Sequence, residues 1–346
     1  MMFKIKNTIS NVKSFLFKDK NGIIIDKNSN LYYNKSLISQ NVDSTNFNFI
    51  DGRLIYTANE NTFIDDKQID AIGYIKCEMG SNEILLSSNF TIDYPDFKMD
   101  YTFYDIHHRK SVFLGNFKNL FTIFIHNNHL VFYDKIKISA LQVLVNTSNT
   151  LWHFDLSQFG QWKNFEDQDR NYEVEQFVGV SGSCLYVLLS NFKLIALHIE
   201  TGELLHQLNL GELFALEPRN WLSYSSKMHL DEVNNRIIWI TSATLLHIDL
   251  ANFSAKLIKD FFNVPIENLW RFKCSNYQDL KLLFTAQYGR EGGDPDIVGI
   301  MNPDTGEILW QYQIPNTQGL YEAPQLANNR LYVRSLDNDL YIFEKE

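Results

Sequence analysis

An all-β chain built from repeated four-stranded units is the architecture predicted by three features of the sequence. The 26 Phe and 17 Tyr favour pleated surfaces, which flat rings suit, and alanine is scarce for a helical protein. Short apolar runs bounded by turn residues recur from end to end. A polar landmark closing the third strand of each unit returns at spacings of roughly 40 to 55 residues, the period of a propeller blade. A β-sandwich also spaces its strands, but it need not place the same residue types at the same turn.

The clearest unit is DIVGIMNPDTGEILWQYQIP, from Asp296 to Pro315. An apolar run from Ile297 to Met301 meets a turn at Asn302-Pro303-Asp304-Thr305-Gly306, and the alternating Ile308, Trp310 and Tyr312 follow. Gly306 stands where a tight reversal needs positive φ, which glycine adopts without steric cost. Equivalent landmarks are Asp105, Asp155, His198, Asp249 and Glu344, with fainter copies at Asp65 and Asn34. These eight predict a single β-propeller over residues 1–346, with seven or eight four-stranded blades. No Pro/Ser-rich tract or block of like charge divides the chain.

The last unit ends just past Glu344 and so lacks its outermost strand, leaving an unpaired edge. The alternating run Met2 to Ile5, with Val12 to Phe17 behind it, supplies candidates to pair with that edge and close the ring.

The run from Asn302 to Trp310 resembles the tryptophan-docking repeat of the quinoprotein-like (PQQ-like) β-propellers, Ala-x-Asp-x-x-Thr-Gly-x-x-x-Trp. Ile300 stands for the Ala and Asn302 for the Asp, while Thr305, Gly306 and Trp310 match. Around His198, Ala196, Thr201 and Gly202 match and His206 replaces the Trp. Around Asp105, His108-Arg109 replaces Thr-Gly and Phe113 the Trp; around Asp249, Leu257 takes the Trp position. The resemblance implies an aromatic docked between blades and a Thr-Gly turn that fixes each hairpin. The family's dehydrogenases hold a quinone and calcium in the axial funnel, with adjacent cysteines and carboxylates, and some carry a CxxCH haem motif. This sequence has no adjacent cysteines and no CxxCH, so no cofactor is expected. The family's lipoprotein scaffolds start from a lipidated cysteine, whereas the first here is Cys77.

Charge narrows the partner class. A formal net charge of -10 and a pI near 5.4 repel phosphate backbones, so nucleic acid is not an expected partner. No stretch approaches the roughly 18 apolar residues of a membrane span, and the N-terminal segment lacks the apolar core of a signal peptide. Cys77, Cys184 and Cys274 form no CxxC pair and read as reduced, buried thiols. A cytoplasmic monomer is the expectation.

Motifs that could carry chemistry are weak. His107-His108 would point to opposite faces of a strand, and His126 and His129 flank a hairpin turn, so solvated turn histidines are expected rather than a metal site. Gly179-Val180-Ser181-Gly182-Ser183 lacks the second Gly of a nucleophile elbow and reads as a turn. The loop Tyr288 to Asp296 groups Glu291, Asp294 and Asp296 without EF-hand spacing.

Two functions remain. The favoured one is a non-catalytic scaffold that binds a basic protein partner through loops on one face. The candidate contacts are Arg219, Trp221 and Tyr224 in the segment from Phe214 to Lys227, with Glu291, Asp294 and Asp296 as the acidic steering group. Trp221 has an alternative role as an aromatic docked between blades. The other function is an enzyme or small-ligand binder whose site lies in the central funnel, assembled from different blades and invisible to linear motifs.

Overall fold

The structure is a computed structural model that describes residues 2–18, 21–50, 53–59, 61–78, 83–93, 96–118, 122–127, 129–135, 137–144, 147–164, 166–214, 227–261, 268–289 and 293–346. Eight antiparallel four-stranded sheets are the blades of a β-propeller. Blades 1 to 7 lie within residues 12–39, 42–72, 74–118, 122–155, 174–209, 228–260 and 270–313. Blade 8 comprises Gln325–Ala327, Arg330–Arg334 and Leu340–Lys345, completed by Phe3–Ile9 on its outer side. The first strand of each blade is innermost, and first strands of most neighbouring blades approach one another around the axis, including those of blades 8 and 1.

Blade 5 shows why these residues make such a fold. Its second strand, Cys184–Leu189, is apolar at almost every position because both of its faces are covered. Side chains alternate across the sheet, so Leu185, Val187 and Leu189 join a cluster with Val131 and Ile138 of blade 4. Tyr186 and Leu188 join Ile237 and Trp239 of blade 6. The core is therefore a series of interfaces between blades, each fed by alternate residues of the same strands.

The ring closes through Phe3–Ile9, which pairs antiparallel with Leu340–Lys345 from Phe3 opposite Lys345 to Ile9 opposite Leu340. The closing strand is longer than Met2 to Ile5. The segment from Val12 to Phe17 does not close the ring; it belongs to the innermost strand of blade 1, Val12–Lys18. Its buried Val12 and Phe15 pack with Tyr332 and Leu340 of blade 8, which fixes it beside the axis.

Seven of the eight landmarks fall within one residue of the end of a third strand. Asp155 does not: it ends the fourth strand of blade 4, Thr147–Asp155, whose third strand is Lys137–Leu144. The physical reason is a cap. Asp155 accepts a hydrogen bond from the Ser157 amide at 2.8 Å and starts the short 3-10 helix Leu156–Phe159, so an aspartate is needed there for a different turn.

The turns divide into two chemistries. Gly202 and Gly306 hold φ of 70° and 67°, and their amides bond to His198 and Asn302 carbonyls at 2.8 and 2.9 Å. The faint landmarks instead use Asn34-Lys35 and Asp65-Asp66, all four at positive φ, as tight two-residue hairpins do. Arg109 and Phe253 hold the same left-handed conformation at φ of 53° and 46°.

Docking between blades follows a register. Trp310 lies opposite Ile300 just before a bulge, is buried, and donates its indole N–H to the Phe3 carbonyl at 3.2 Å. Trp152 repeats this in blade 4: it pairs with Ala140 before a bulge and donates to the Ile199 carbonyl of blade 5 at 2.8 Å. A Cβ on Gly202 would sit 2.6 Å from the Trp152 ring, so this glycine makes room for the docked indole. His206 holds the corresponding register position in blade 5, opposite Ala196 before a bulge, and stacks on Phe253 of blade 6 with ring centroids 5.1 Å apart, but it stays exposed. Phe113 and Leu257 do not dock; they are 63% and 42% exposed. In blade 6 the Lys259 stem covers Gly306 instead, and its ammonium donates to the Gly306 carbonyl at 3.0 Å.

Candidate functional site

In an antiparallel blade whose first strand is innermost, the second-to-third turns and the connections to the next blade open on one face of the ring. The first-to-second and third-to-fourth turns open on the other. On the first face the connections are uneven: those after blades 8, 1, 2 and 3 span only 10–11, 40–41, 73 and 119–121. Those after blades 4 to 7 span 156–173, 210–227, 261–269 and 314–324, and blade 7 adds 289–296 between its second and third strands. The long connections, the crown, therefore all follow blades 4 to 7 on that face.

Its described parts are tied down. Within 156–173 a hairpin pairs Gln161–Lys163 with Asp169–Asn171, and Trp162 anchors it to the core between blades 4 and 5. Glu166, Asp167, Asp169 and Glu173 are exposed there, with Lys163 bridging to Asp169 at 3.0 Å. In the other segments the Leu320 amide bonds to the Pro295 carbonyl and the Ile314 amide to the Asp296 carbonyl, each at 2.8 Å.

The residues expected from the sequence fall into two groups. Arg219, Trp221, Tyr224 and Glu291 lie outside the described residues. Asp294 and Asp296 are on the crowned face, but they are not idle charges. Asp294 accepts a hydrogen bond from the Tyr321 hydroxyl, which binds it to the next connection. Asp296 accepts from Gln313 Nε2 at 2.8 Å.

Beneath the crown, the innermost strands of blades 5 to 8 line an axial cavity of about 660 Å³. His229 Nε2 lies 2.8 Å from Ser275 Oγ in its wall. Burial, reinforced by the Lys227 ammonium, pushes the imidazole down to about 4, so it is neutral at pH 7. Cys274 donates its thiol to the Tyr321 carbonyl at 3.0 Å, and burial raises its pKa. A raised thiol and a weakly basic imidazole hold and orient a ligand better than they activate a nucleophile. Sequence reasoning missed this group because His229 stands on blade 6 while Cys274 and Ser275 stand on blade 7; one signal, the polar residues punctuating the inner strands, is visible only once those strands are placed.

Other candidates resolve into structure. His129 is buried and meets Glu200 of blade 5 at 3.1 Å, so it links two blades and is not a solvated turn residue. His108 Nδ1 lies 2.6 Å from Asp105. Among the described residues no three His, Cys, Asp or Glu side chains converge as metal ligands. Ser183 follows Gly182, at φ 58°, in the turn between the first two strands of blade 5. Cys184 and Cys274 are free and only half-buried, and Cys77's side chain lies outside the description. On the opposite face Arg236 bonds to Asp231 and to Asp304 at 2.8 and 2.6 Å, while His247 Nε2 meets the Pro303 carbonyl at 2.9 Å. The Asn302 to Gly306 turn is thus a clamp onto blade 6. Among the described residues no helix is long and apolar enough to cross a membrane.

These features define the class: an eight-bladed β-propeller with an uneven crown over an axial cavity. No protein-family model matches the chain, and no curated protein does. Solved structures match over nearly full length. The computationally designed Ika8 protein superposes with a TM-score of 0.58 at 10% identity, covering 97% of this chain and 96% of its own. Saccharomyces cerevisiae Sqt1 gives 0.58 at 11%, covering 99% and 98%. The β-propeller domain of Myceliophteria thermophila Cps50 (Swd1) gives 0.54 at 7%, covering 98% and 100%. At such identities the likeness is one of fold.

Proposed function

We propose that the chain is a non-catalytic propeller, one domain over residues 1–346, that binds a basic protein partner through the crowned half of one face. The observation that carries this reading is that every long blade-to-blade connection joins consecutive blades among 4 to 8, since loops on a rigid scaffold are where recognition is carried. The exposed acidic residues of the 156–173 connection and the net charge of -10 favour a basic partner by steering. Arg219, Trp221, Tyr224, Glu291, Asp294 and Asp296 remain the proposed contacts. The proposal includes a cytoplasmic monomer with no cofactor that engages neither nucleic acid nor membrane. It also includes descent from the quinoprotein-like repeat, supported by the docked indoles of Trp310 and Trp152.

Affinity capture from native cells with mass spectrometry identifies the partner. Replacing residues 161–171 by a short Gly-Ser linker is then expected to weaken its capture from an intact, folded ring. Undiminished capture by a variant that also carries Trp221→Ala overturns the assignment to the crown.

A second reading is favoured by the axial cavity, where His229, Ser275 and Cys274 converge: a small-ligand site in the funnel. Ligand screening by thermal shift, with His229→Gln as the insensitive control, tests it.

A further inference from the structure

A second cavity, of about 540 Å³, opens on the same face between blades 1, 2 and 3, where the connections are shortest and nothing described overhangs it. Its size falls within the roughly 300–1,000 Å³ of small-molecule sites. Its lining differs from that of the axial cavity. Asn28, Asn41 and Asn59 are exposed at its rim, and the exposed ring of Tyr74 forms one side. Thr57 is fully buried, and among the described residues its hydroxyl has no hydrogen-bond partner.

This chemistry selects a ligand. An asparagine side chain offers both a donor and an acceptor, and a hydroxyl does the same. Such a lining suits a ligand whose own groups also donate and accept, which describes a polyol. The charges are one Lys13 and one Asp43, so the cavity has no excess of either sign to hold a phosphate or a dicarboxylate, which need convergent cations. An exposed aromatic ring beside amides presents a flat apolar surface to the C–H face of a pyranose, while the amides meet its hydroxyls. The orphan hydroxyl of Thr57 is a buried group left without a partner at a cost, and a ligand hydroxyl reaching it would satisfy it.

We propose that this cavity is a carbohydrate-binding site for a neutral saccharide, with Tyr74 as the stacking platform, the rim asparagines as hydroxyl partners and Thr57 as the deepest contact. It is separate from the partner surface proposed above, and neither depends on the other.

The test is saturation-transfer NMR and calorimetry on the full chain with methyl glycosides of glucose, galactose, mannose and N-acetylglucosamine, and with maltose and cellobiose. At least one should bind saturably. Tyr74→Ala should then weaken it tenfold or more, and Tyr74→Trp, which keeps a platform, should restore it. Thr57→Val removes the hydroxyl at constant shape, so it should weaken binding severalfold while leaving the ligand-free melting temperature equal or higher. Absence of saturable binding by every saccharide overturns the proposal, as does binding indifferent to both Tyr74→Ala and Thr57→Val. Capture of a peptide in this cavity with no saccharide competing also overturns it.

Discussion

The indole N–H of Trp310 in blade 7 donates to the backbone carbonyl of Phe3 in the closing strand at 3.2 Å, and the two rings lie 5.3 Å apart. The docking residue of the best-preserved repeat therefore also holds the strand that closes the ring. Two consequences can be separated. Trp310→Phe keeps most of the buried area and loses the hydrogen bond, costing about 1 kcal/mol. Trp310→Ala empties the interface and costs about 3 to 5 kcal/mol. Deleting residues 2–9 bares the edge of Leu340–Lys345, so the protein should melt lower and self-associate. Light scattering and thermal melting check this; an unchanged monomer after the deletion would contradict the closure.

Glycine substitutions should follow their neighbours. Gly202→Val and Gly306→Val each strain a left-handed backbone and should cost about 1 to 3 kcal/mol. Gly202→Ala should cost more than Gly306→Ala, because its Cβ would meet the rigid Trp152 ring and the other the movable stem of Lys259. Urea midpoints measure the order, and equal midpoints to the wild type would refute the turn assignment.

His229 gives a pH signature. Its folded pKa, pushed down to about 4, lies below its ordinary value near 6.5. Between these values the unfolded chain takes up a proton that the folded protein refuses, so stability falls as pH drops through that window. His229→Gln should show a shallower loss from pH 6.5 to 4 by up to one proton, read as the difference between two urea titration series. Parallel slopes would mean that the imidazole titrates in the folded protein as it does in the unfolded chain.

Charge reversal at the crown must avoid residues with structural duties. Asp294→Lys breaks the bond from Tyr321 and Asp296→Lys the bond from Gln313, so both should lower the melting temperature. Glu166→Lys, at an exposed position, should leave melting unchanged while slowing association with the captured partner and flattening its salt dependence. Stopped-flow association at two ionic strengths distinguishes this from a partner held by apolar contact.

Because the cofactor-holding signals of the quinoprotein dehydrogenases are missing from the sequence, calorimetry with pyrroloquinoline quinone should give no saturable heat. Stoichiometric binding would reverse that expectation.

The fold was legible because propeller blades repeat a local chemistry: Gly306 and Gly202 mark turns that any reader of Thr-Gly would find. Asn34-Lys35 and Asp65-Asp66 make equivalent turns from residues common in any loop, so those blades registered only faintly. Trp152 was hidden by its neighbour, since Asp155 imitates the landmark while capping a helix. The crown's unevenness could be read from connection lengths once strands were set. The pairing of His229 with Ser275, and the cavity floored by Thr57, could not, because they depend on which blades meet rather than on which residues follow one another.

Closure by Phe3–Ile9 imposes an order of events during synthesis. The strand is made before the rest of the ring, well ahead of its partner Leu340–Lys345, so at about 5–20 residues per second it waits roughly 15 to 70 seconds. During that interval it lacks its ladder partner, and charges such as those of Lys4 and Lys6 disfavour pairing of such a strand with other nascent chains. In the finished ring the same lysines meet Glu346 and Glu344, so charges that keep the strand apart during translation latch it once the last blade arrives.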